Sequence, residues 1–287
     1  MVKSARTRKG DSKEDYASKS YWDSRYQAND INHEWYYSFE ILQPLLSMYL
    51  QNEISSVDKA LEIGCGDRPL VNKFTQLGFA ASSLHGIDYS KVVIDMLHEE
   101  QKKGRIDSDV HFTEADARAM PLFESNTFSV ILDKGTTDAM LSSRSRKEGM
   151  NNAKQIFSEI VRMLTLNGTF VLVSHMEIES DEFDTVMSEV FMPILQEKNT
   201  VNWFVKAHIV NRLGAVDEEL KNPPSKGKFR SLYKLGTFNT YTSPPQEKTR
   251  KEKQMRSKRQ KIKGMAQSIP LPLSQNALHE TEHRSQW

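Results

Sequence analysis

Two glycines and three aspartates stand where a parallel sheet would place a ligand site. Gly64 and Gly66 follow a short apolar stretch. The next three apolar stretches end at or just before Asp88, Asp116 and Asp133, respectively. Glycine lets a chain turn sharply and bring its N–H groups close to a ligand. Because ligands of open α/β sheets bind beyond the carboxyl ends of the strands, these five residues predict one shared site.

The residues after the glycines indicate which kind of ligand this site would bind. Asp88 lies 22 positions after Gly66, the interval at which a carboxylate accepts hydrogen bonds from ribose hydroxyls. A dinucleotide fingerprint would need a third glycine where Pro69 stands. Asp67 would repel a pyrophosphate and, together with Glu62, suits the cationic sulfonium and ammonium of S-adenosylmethionine. Taken alone, the loop also allows an ordinary strand-to-helix turn with a surface aspartate.

Alternating apolar and amphipathic stretches predict the elements that position these residues. Helices are predicted at 35–50, 69–77, 92–102, 153–164 and 183–198, and strands at 59–64, 84–88, 110–114, 128–133, 169–174, 201–210 and 229–242. Strands joined through helices need crossover connections, so the predicted fold is α/β, a Rossmann-like, doubly wound, mainly parallel sheet of seven strands. The two late strands are too close in sequence for a long crossover, which predicts an antiparallel C-terminal edge.

The composition divides the 287 residues into three parts. Residues 1–20 are polar and aperiodic and predict a flexible arm, and residues 21–243 form the predicted catalytic domain. Residues 244–287 form a basic tail that is expected to be disordered. Within it, residues 247–263 hold nine Lys or Arg and two Glu, a net charge of +7, so the rest of a chain of net charge +1 carries −6. A nucleic-acid partner is therefore not indicated, although the tail could contact an acidic partner or RNA, serve as a nuclear address, or simply be solvated.

Several absences in the sequence set further expectations about compartment and metal. No apolar run approaches the roughly 20 residues that span a bilayer, and the basic start lacks the apolar stretch of a secretory signal. Cys65 is the only cysteine. We therefore expect a cytoplasmic protein, with the nucleus as the alternative. His85, His111 and His175 have no metal-ligand spacing, so no metal site is expected.

Five segments together resemble a known enzyme family. Glu62-Ile-Gly-Cys-Gly66, Gly86-Ile-Asp-Tyr-Ser90 and Glu114-Ala-Asp-Ala-Arg118 are similar to the successive motifs of class I S-adenosylmethionine-dependent methyltransferases. Tyr21-Trp-Asp-Ser-Arg-Tyr26 and Leu132-Asp-Lys-Gly-Thr-Thr-Asp-Ala139 resemble the methyltransferase-like family that includes the elongation factor 1-alpha lysine methyltransferases. The resemblance spans about residues 16 to 174.

This resemblance implies S-adenosylmethionine as the cofactor and a set of residues that bind it. The implied roles are an aromatic wall on the N-terminal side of the cofactor and contacts to its methionine portion, its ribose and its adenine. One further residue, after strand four, would lie beside the cofactor. The residues in these roles are Trp22, Tyr26, Trp35, Gly64, Asp88, Tyr89, Asp116, Ala117 and Lys134. From the residues alone, the aromatic side chains could instead be core, Asp116 a cap and Lys134 a solvated lysine.

The resemblance also suggests the reaction, which is methylation of a lysine in a protein such as elongation factor 1-alpha. We expect residues 133–138 to shape the substrate channel and Asp133 or Asp138 to orient the incoming amine. Asp133 stands where relatives often carry Glu and Thr137 where they often carry Leu, which puts the substrate in question. The alternatives are methylation of a small molecule and a catalytically silent module that only binds the cofactor.

Overall fold

The structure is a computed structural model, and it describes only part of the chain. Residues 15–28, 34–50, 54–55, 57–176 and 180–197 are described, together with the backbone of three late strands. Residues 1–14 of the predicted arm and the whole predicted tail lie outside the described residues.

Five parallel strands form the centre of the fold and confirm the predicted α/β class. They lie side by side in the order β3-β2-β1-β4-β5, and every neighbouring pair is parallel. Their bounds are β1 Ala60–Ile63, β2 Leu84–Asp88, β3 His111–Glu114, β4 Phe128–Lys134 and β5 Leu164–Ser174. The sequence order reverses on either side of β1, so the chain leaves the sheet in opposite directions there and opens a crevice at the carboxyl ends of β1 and β4.

Helices cover both faces of this sheet, which explains why β1, most of β4 and the second half of β5 are buried. All four residues of β1 are buried, and two separate hydrophobic clusters lie on the two faces. The helices are α1 Lys19–Gln27, α2 Phe39–Leu50, α3 Lys91–Lys102, α4 Thr136–Leu141, α5 Arg146–Met163, α6 Asp181–Val186 and α7 Met192–Glu197. A π-helical turn, Met187–Phe191, joins α6 to α7, and 3-10 turns lie at Val71–Leu77 and Ala81–Ser83.

The helix predicted at 69–77 is a 3-10 helix that begins two residues later. The Glu62 carboxylate accepts the backbone N–H groups of Leu70 and Val71 at 2.7 and 2.8 Å, so the buried end of β1 supplies the helix cap. Two short helices, α1 and α4, were not predicted. Each is too short for an apolar periodicity to identify it.

Three late strands extend the sheet beyond β5. They are β6 Asn202–Val210, β7 Val216–Glu219 and β8 Phe229–Thr237, in the order β5-β8-β6-β7. The described sheet therefore has eight strands, because β7 forms in a segment that was interpreted as a connection. The two late strands expected to pair antiparallel, β6 and β8, lie parallel, and β7 pairs antiparallel with β6.

Strand-like hydrogen bonds continue past the ends of the central strands and hold the loops of the crevice. Cys65 N donates to Ile87 O at 2.9 Å, and Gly135 N donates to Val173 O at 3.0 Å. These bonds fix the loops that follow β1 and β4 relative to their neighbours. Among the described helices, none is both long and apolar enough to cross a membrane.

Glu62 yields a prediction about stability and pH. Burial raises the pKa of this carboxyl to about 7, against the pull of Lys134 and its two N–H donors. The folded protein therefore keeps the Glu62 proton between about pH 4.5 and 7, where the unfolded chain has lost it, and stability falls as the pH rises through that window. Glu62→Gln stays neutral and keeps an oxygen acceptor, so the fall in unfolding free energy between pH 5 and 7 should shrink by about 2 kcal/mol.

Urea denaturation of both proteins at pH 5, 6 and 7 measures this difference. Glu40→Gln is the control, because exposed Glu40 binds Lys73 and its pKa is lowered to about 2, outside the window. Equal slopes for wild type and Glu62→Gln would contradict the assignment.

Candidate functional site

One cavity of about 410 Å³ opens at the carboxyl ends of the central strands. It is lined by residues before α2, by the glycine loop after β1 and by the ends of β2, β4 and β5. Ten of the eleven residues predicted for the site line it: Trp22, Tyr26, Trp35, Gly64, Asp88, Tyr89, Asp116, Ala117, Lys134 and Asp138. Asp133 does not.

The glycine loop is held against the start of α4. Gly64 and Gly66 have φ of +60° and +58°, in the left-handed region that favours glycine. A Cβ at Gly64 would lie 2.0 Å from Thr136 Oγ1. That hydroxyl donates to Ile63 O at 2.8 Å. The loop and α4 are therefore in direct contact, and only glycine fits at position 64.

Asp88 offers a buried carboxylate to the cavity. One oxygen accepts Ser90 N at 2.9 Å and the other accepts Gly66 N at 3.2 Å. A carboxylate has about four acceptor positions, so two remain for hydroxyl donors. Burial raises the pKa of Asp88 to about 6. Next to it, the buried Oη of Tyr89 has no hydrogen-bond partner among the described residues.

Aromatic rings from α1 and the segment before α2 form one wall of the cavity. Trp22 stacks on Tyr26 at a centroid distance of 5.9 Å and meets Trp35 edge-on at 5.6 Å. Trp22 Nε1 donates to the carbonyl of Tyr16, which also lines the cavity and was not predicted. These rings lie where the resemblance implied a wall beside the cofactor, and their contact with the cofactor stays a prediction.

A hydrogen bond between helices fixes the position of that wall. Ser90 is the N-cap residue of α3, but its hydroxyl makes no capping bond. Instead it donates to Asp23 in α1 at 2.5 Å. This bond ties the aromatic helix to the strand end that carries Asp88.

Asp116 lies at the far side of the cavity beside Ala117. Arg118 donates to it from the backbone N at 2.9 Å and from the guanidinium at 2.7 to 3.1 Å. Burial opposes ionisation, but these bonds outweigh it and lower the pKa of Asp116. Asp116 is thus a charged group that is fixed by its neighbour, and its contact with the adenine stays a prediction.

Lys134 is a buried cation at the end of β4. Only 8% of its side chain is exposed, and its Nζ donates to Glu34 at 2.8 Å and to Trp35 O at 3.2 Å. The lysine therefore joins the aromatic wall to the sheet rather than standing as a solvated charge. Because Glu34 neutralises Lys134, the carboxylates of Asp67 and Asp88 leave the cavity acidic.

Asp133 and Asp138, the two predicted catalytic residues, have different surroundings. Asp133 is fully buried and accepts Thr136 N at 2.8 Å, Thr137 N and the Thr137 hydroxyl at 2.5 Å. It caps the N-terminus of α4 from below, and burial raises its pKa to about 7. Asp133 lies beneath the cavity and does not line it. Its catalytic role stays a prediction.

Asp138 lines the cavity and is held by three residues. Its oxygens accept Ser174 Oγ at 2.7 Å, Tyr36 Oη at 2.8 Å and His175 N at 3.1 Å. Burial would raise the pKa of Asp138, but its interactions with His175, Ser174 and Tyr36 outweigh burial and lower it. Asp138 is therefore an ionised carboxylate in a buried setting.

Tyr16, Glu34, Tyr36 and His175 are among the lining residues that the sequence analysis did not assign to the site. Tyr36 precedes α2 without any motif, and Glu34 has no signal before its contact with Lys134 is known. His175 directly follows β5, and its position at a strand end was the signal that could have found it. Glu62 was expected to add acidity but lies outside the lining, because it caps the 3-10 helix.

The described part of the chain contains no candidate set of metal ligands. Among the described residues, no group of three or more His, Cys, Asp or Glu could hold an ion. Cys65 is buried in the glycine loop, and burial raises its pKa well above the usual value, so it is a poor nucleophile.

Comparison with known proteins shows the family to which this chain belongs. Residues 54–243 match the family described as "Methyltransferase domain". The chain belongs to this family. The methyltransferase is 31% identical over 163 residues to EEF1A lysine methyltransferase 4 of Mus musculus, a match that covers 54% of this chain and 60% of that one. It is 28% identical over 207 residues to the eEF1A lysine and N-terminal methyltransferase of Danio rerio, covering 72% and 26%.

The name of a third relative specifies citrate synthase instead of eEF1A. It is the mitochondrial citrate synthase-lysine N-methyltransferase of Pongo abelii, 29% identical over 152 residues, a match that covers 49% of this chain and 61% of the relative. This methyltransferase therefore spans about a quarter to three fifths of the length of these relatives.

The methyltransferase takes S-adenosylmethionine, and its residues fit that cofactor. The cavity offers two acceptor positions on Asp88 for ribose hydroxyls and a glycine loop in which a side chain would collide. Its carboxylates suit a sulfonium and an ammonium, whereas a pyrophosphate would meet Asp67. The acidity and the aromatic wall together favour this cofactor over a dinucleotide.

Asp88 gives the sharpest prediction about the cofactor. Asp88→Asn removes one carboxylate oxygen acceptor, so the Kd for S-adenosylhomocysteine should rise at least tenfold, about 1.4 kcal/mol. Protonation of the carboxyl should also weaken wild-type binding as the pH falls from 7 to 5, since the pKa is about 6. The Asn variant should lose that pH dependence.

Isothermal titration calorimetry at pH 5, 6 and 7 measures both effects. Asp95→Asn on α3 is the matched control, because Asp95 is exposed and pairs only with Lys91 among the described residues. Wild-type affinity in Asp88→Asn would refute the ribose assignment.

Proposed function

We propose that this methyltransferase transfers a methyl group to the side-chain amine of a lysine in a protein, with elongation factor 1-alpha as the first candidate. One observation carries the proposal. Asp138, a buried carboxylate kept ionised by its partners, lines the same cavity as Asp88 and the glycine loop. An anion at that place suits a substrate that arrives as an ammonium ion.

The chemistry requires the amine to reach the cofactor without its proton. When bound, S-adenosylmethionine supplies a methyl group on a sulfonium; the N–C bond forms as the C–S bond breaks, and its electron pair stays on sulfur. A lysine ammonium has a pKa of about 10.4 in water, so it must lose a proton to solvent before attack. Burial in the cavity favours the neutral amine and must outweigh the Asp138 carboxylate, which favours the ammonium ion. Asp138 orients the nitrogen, and positioning of this kind supplies much of the rate.

The relatives support a protein lysine as the class of substrate. The names of three relatives specify a lysine methyltransferase, and those names specify two different proteins, eEF1A and citrate synthase. The class is thus better supported than any one substrate. Methylation of a small molecule and a silent cofactor-binding module are the competing functions.

We also propose how the rest of the chain is organised. The arm at 1–20, the domain at 21–243 and the basic tail at 244–287 stay predictions, although Tyr16 lines the cavity and α1 begins at Lys19 within the predicted arm. The tail's composition supports its separation from the domain. The finer fold, with an antiparallel C-terminal edge, is supported by the antiparallel pairing of β6 with β7. We propose a cytoplasmic location with the nucleus as the alternative.

Transfer of a labelled methyl group to protein tests the function. We expect wild type to label purified elongation factor 1-alpha or another protein of a cell extract, in a band that resists nuclease. Asp138→Asn should lower the rate on the order of 100-fold because the substrate loses a preorganised charge. Its affinity for S-adenosylmethionine should stay within threefold of wild type, about 0.7 kcal/mol.

Three outcomes would contradict this assignment. Label only in small molecules, or cofactor binding with no transfer, would favour the competing functions. If Asp133→Asn abolishes transfer while its stability and cofactor affinity are unchanged, Asp133 rather than Asp138 orients the amine.

The domain boundary has its own test. Deleting all residues after Pro245 should leave the calorimetric Kd for S-adenosylmethionine within twofold of wild type, about 0.4 kcal/mol, because every predicted cofactor residue lies before it. A large loss would place the tail inside the fold.

A further inference from the structure

Tyr36 adopts a backbone conformation that its residue type disfavours. Its φ is +60°, where the Cβ of a bulky residue crowds the backbone. The ring lies against Gly135, and a Cβ at Gly135 would come within 2.6 Å of Tyr36 Cε2. Gly135 itself has a φ of +86°. Strain of this kind persists only where the surroundings enforce it, and it collects at ligand sites.

The hydroxyl of Tyr36 is directed at Asp138. It donates to Asp138 Oδ2 at 2.8 Å. Burial, followed by the charge of Asp138, raises the pKa of the phenol, so the hydroxyl is neutral. His175 Nδ1 lies 3.3 Å from the same oxygen, and the second lone pair of that oxygen can accept a donor from the cavity. On the other oxygen, Oδ1, only Ser174 donates among the described residues. That oxygen can therefore accept a second donor from the cavity.

His175 extends this arrangement towards solvent. Its ring stacks on Tyr36 with a centroid distance of 6.4 Å and an interplanar angle of 15°, and its Nδ1 lies 3.2 Å from Asp138 Oδ2. Half of the His175 side chain is exposed. The other charges that act on the Tyr36 hydroxyl are the carboxylates of Asp133 and Glu182. The stacked rings of Tyr36 and His175, with the Asp138 carboxylate beside them, thus lead from the solvent into the cavity.

We propose that Tyr36, Asp138 and His175 form the subsite that receives the primary ammonium group of the substrate. Asp138 Oδ1 and the Tyr36 oxygen accept two of its N–H groups, and the stacked rings border the alkyl chain. A cation is attracted to both an aromatic face and a carboxylate, whereas a neutral alcohol gains little from either. The inference rests on the proposed function and makes Tyr36 a determinant of substrate specificity.

A small probe tests the subsite without any protein substrate. Butylammonium reproduces the end of a lysine side chain, and n-butanol is its neutral counterpart. NMR titration of the complex with S-adenosylhomocysteine should show butylammonium binding at least tenfold tighter than butanol. Tyr36→Phe should weaken butylammonium at least threefold and Asp138→Asn at least tenfold. His175→Ala should weaken it by less, because the ring only borders the chain.

Tyr37→Phe is the matched control. It makes the same change one residue along, at a side chain buried in the hydrophobic core, and it should leave butylammonium affinity at the wild-type value. Equal binding of butylammonium and butanol, or unchanged binding in Tyr36→Phe, would overturn the proposal. The Phe variant keeps the ring, so thermal stability near wild type is expected and is measured alongside.

Turnover separates this inference from the function on which it rests. With a labelled protein substrate, Tyr36→Phe should raise KM about tenfold and leave the Kd for S-adenosylmethionine unchanged, a split that a general structural defect would not produce. Absence of transfer by wild type would defeat the proposed function. Normal transfer by both wild type and Tyr36→Phe would defeat only the role of Tyr36.

Discussion

The contact between the glycine loop and the N-terminus of α4 is the constraint on which the site depends. Asp133 caps that helix from below, and Thr136 reaches across to the carbonyl of Ile63. The space that Thr136 needs exists only because residue 64 has no Cβ. As a result, the loop after β1 and the helix after β4 are fixed relative to each other, and so are the two parts of the cavity that they line.

The carboxylates of the site differ in charge because their donors differ. Glu62 and Asp88 are buried with two backbone donors each, and burial prevails in raising their pKa. Asp138 is as deeply buried, yet its side-chain partners prevail and lower its pKa. A buried carboxyl group thus serves as a structural acceptor that keeps its proton up to about pH 7 at Glu62, and as a fixed charge at Asp138. Lys134 pulls the pKa of Glu62 down, but burial outweighs that pull.

Much of the central sheet and cofactor side could be predicted, because those features follow from local patterns. Buried strands are continuous apolar runs, and a ligand edge follows from parallel topology. The residues around Asp138 could not be predicted, because Tyr36 and His175 lie 102 and 37 positions from it in sequence. Asp133 was assigned to the cavity on its position at a strand end. Side-chain direction, which alternates along a strand, placed it beneath α4 instead.

The aromatic wall lies upstream of the region that defines the family. The family match begins at residue 54, whereas Trp22, Trp35 and Tyr36 precede it and reach the sheet through the Lys134–Glu34 ion pair. This segment supplies the aromatic side of the cavity, and the matched region supplies the strand ends that complete it. A substitution in the segment would therefore change the lining of the cavity and leave the strands of the sheet as they are.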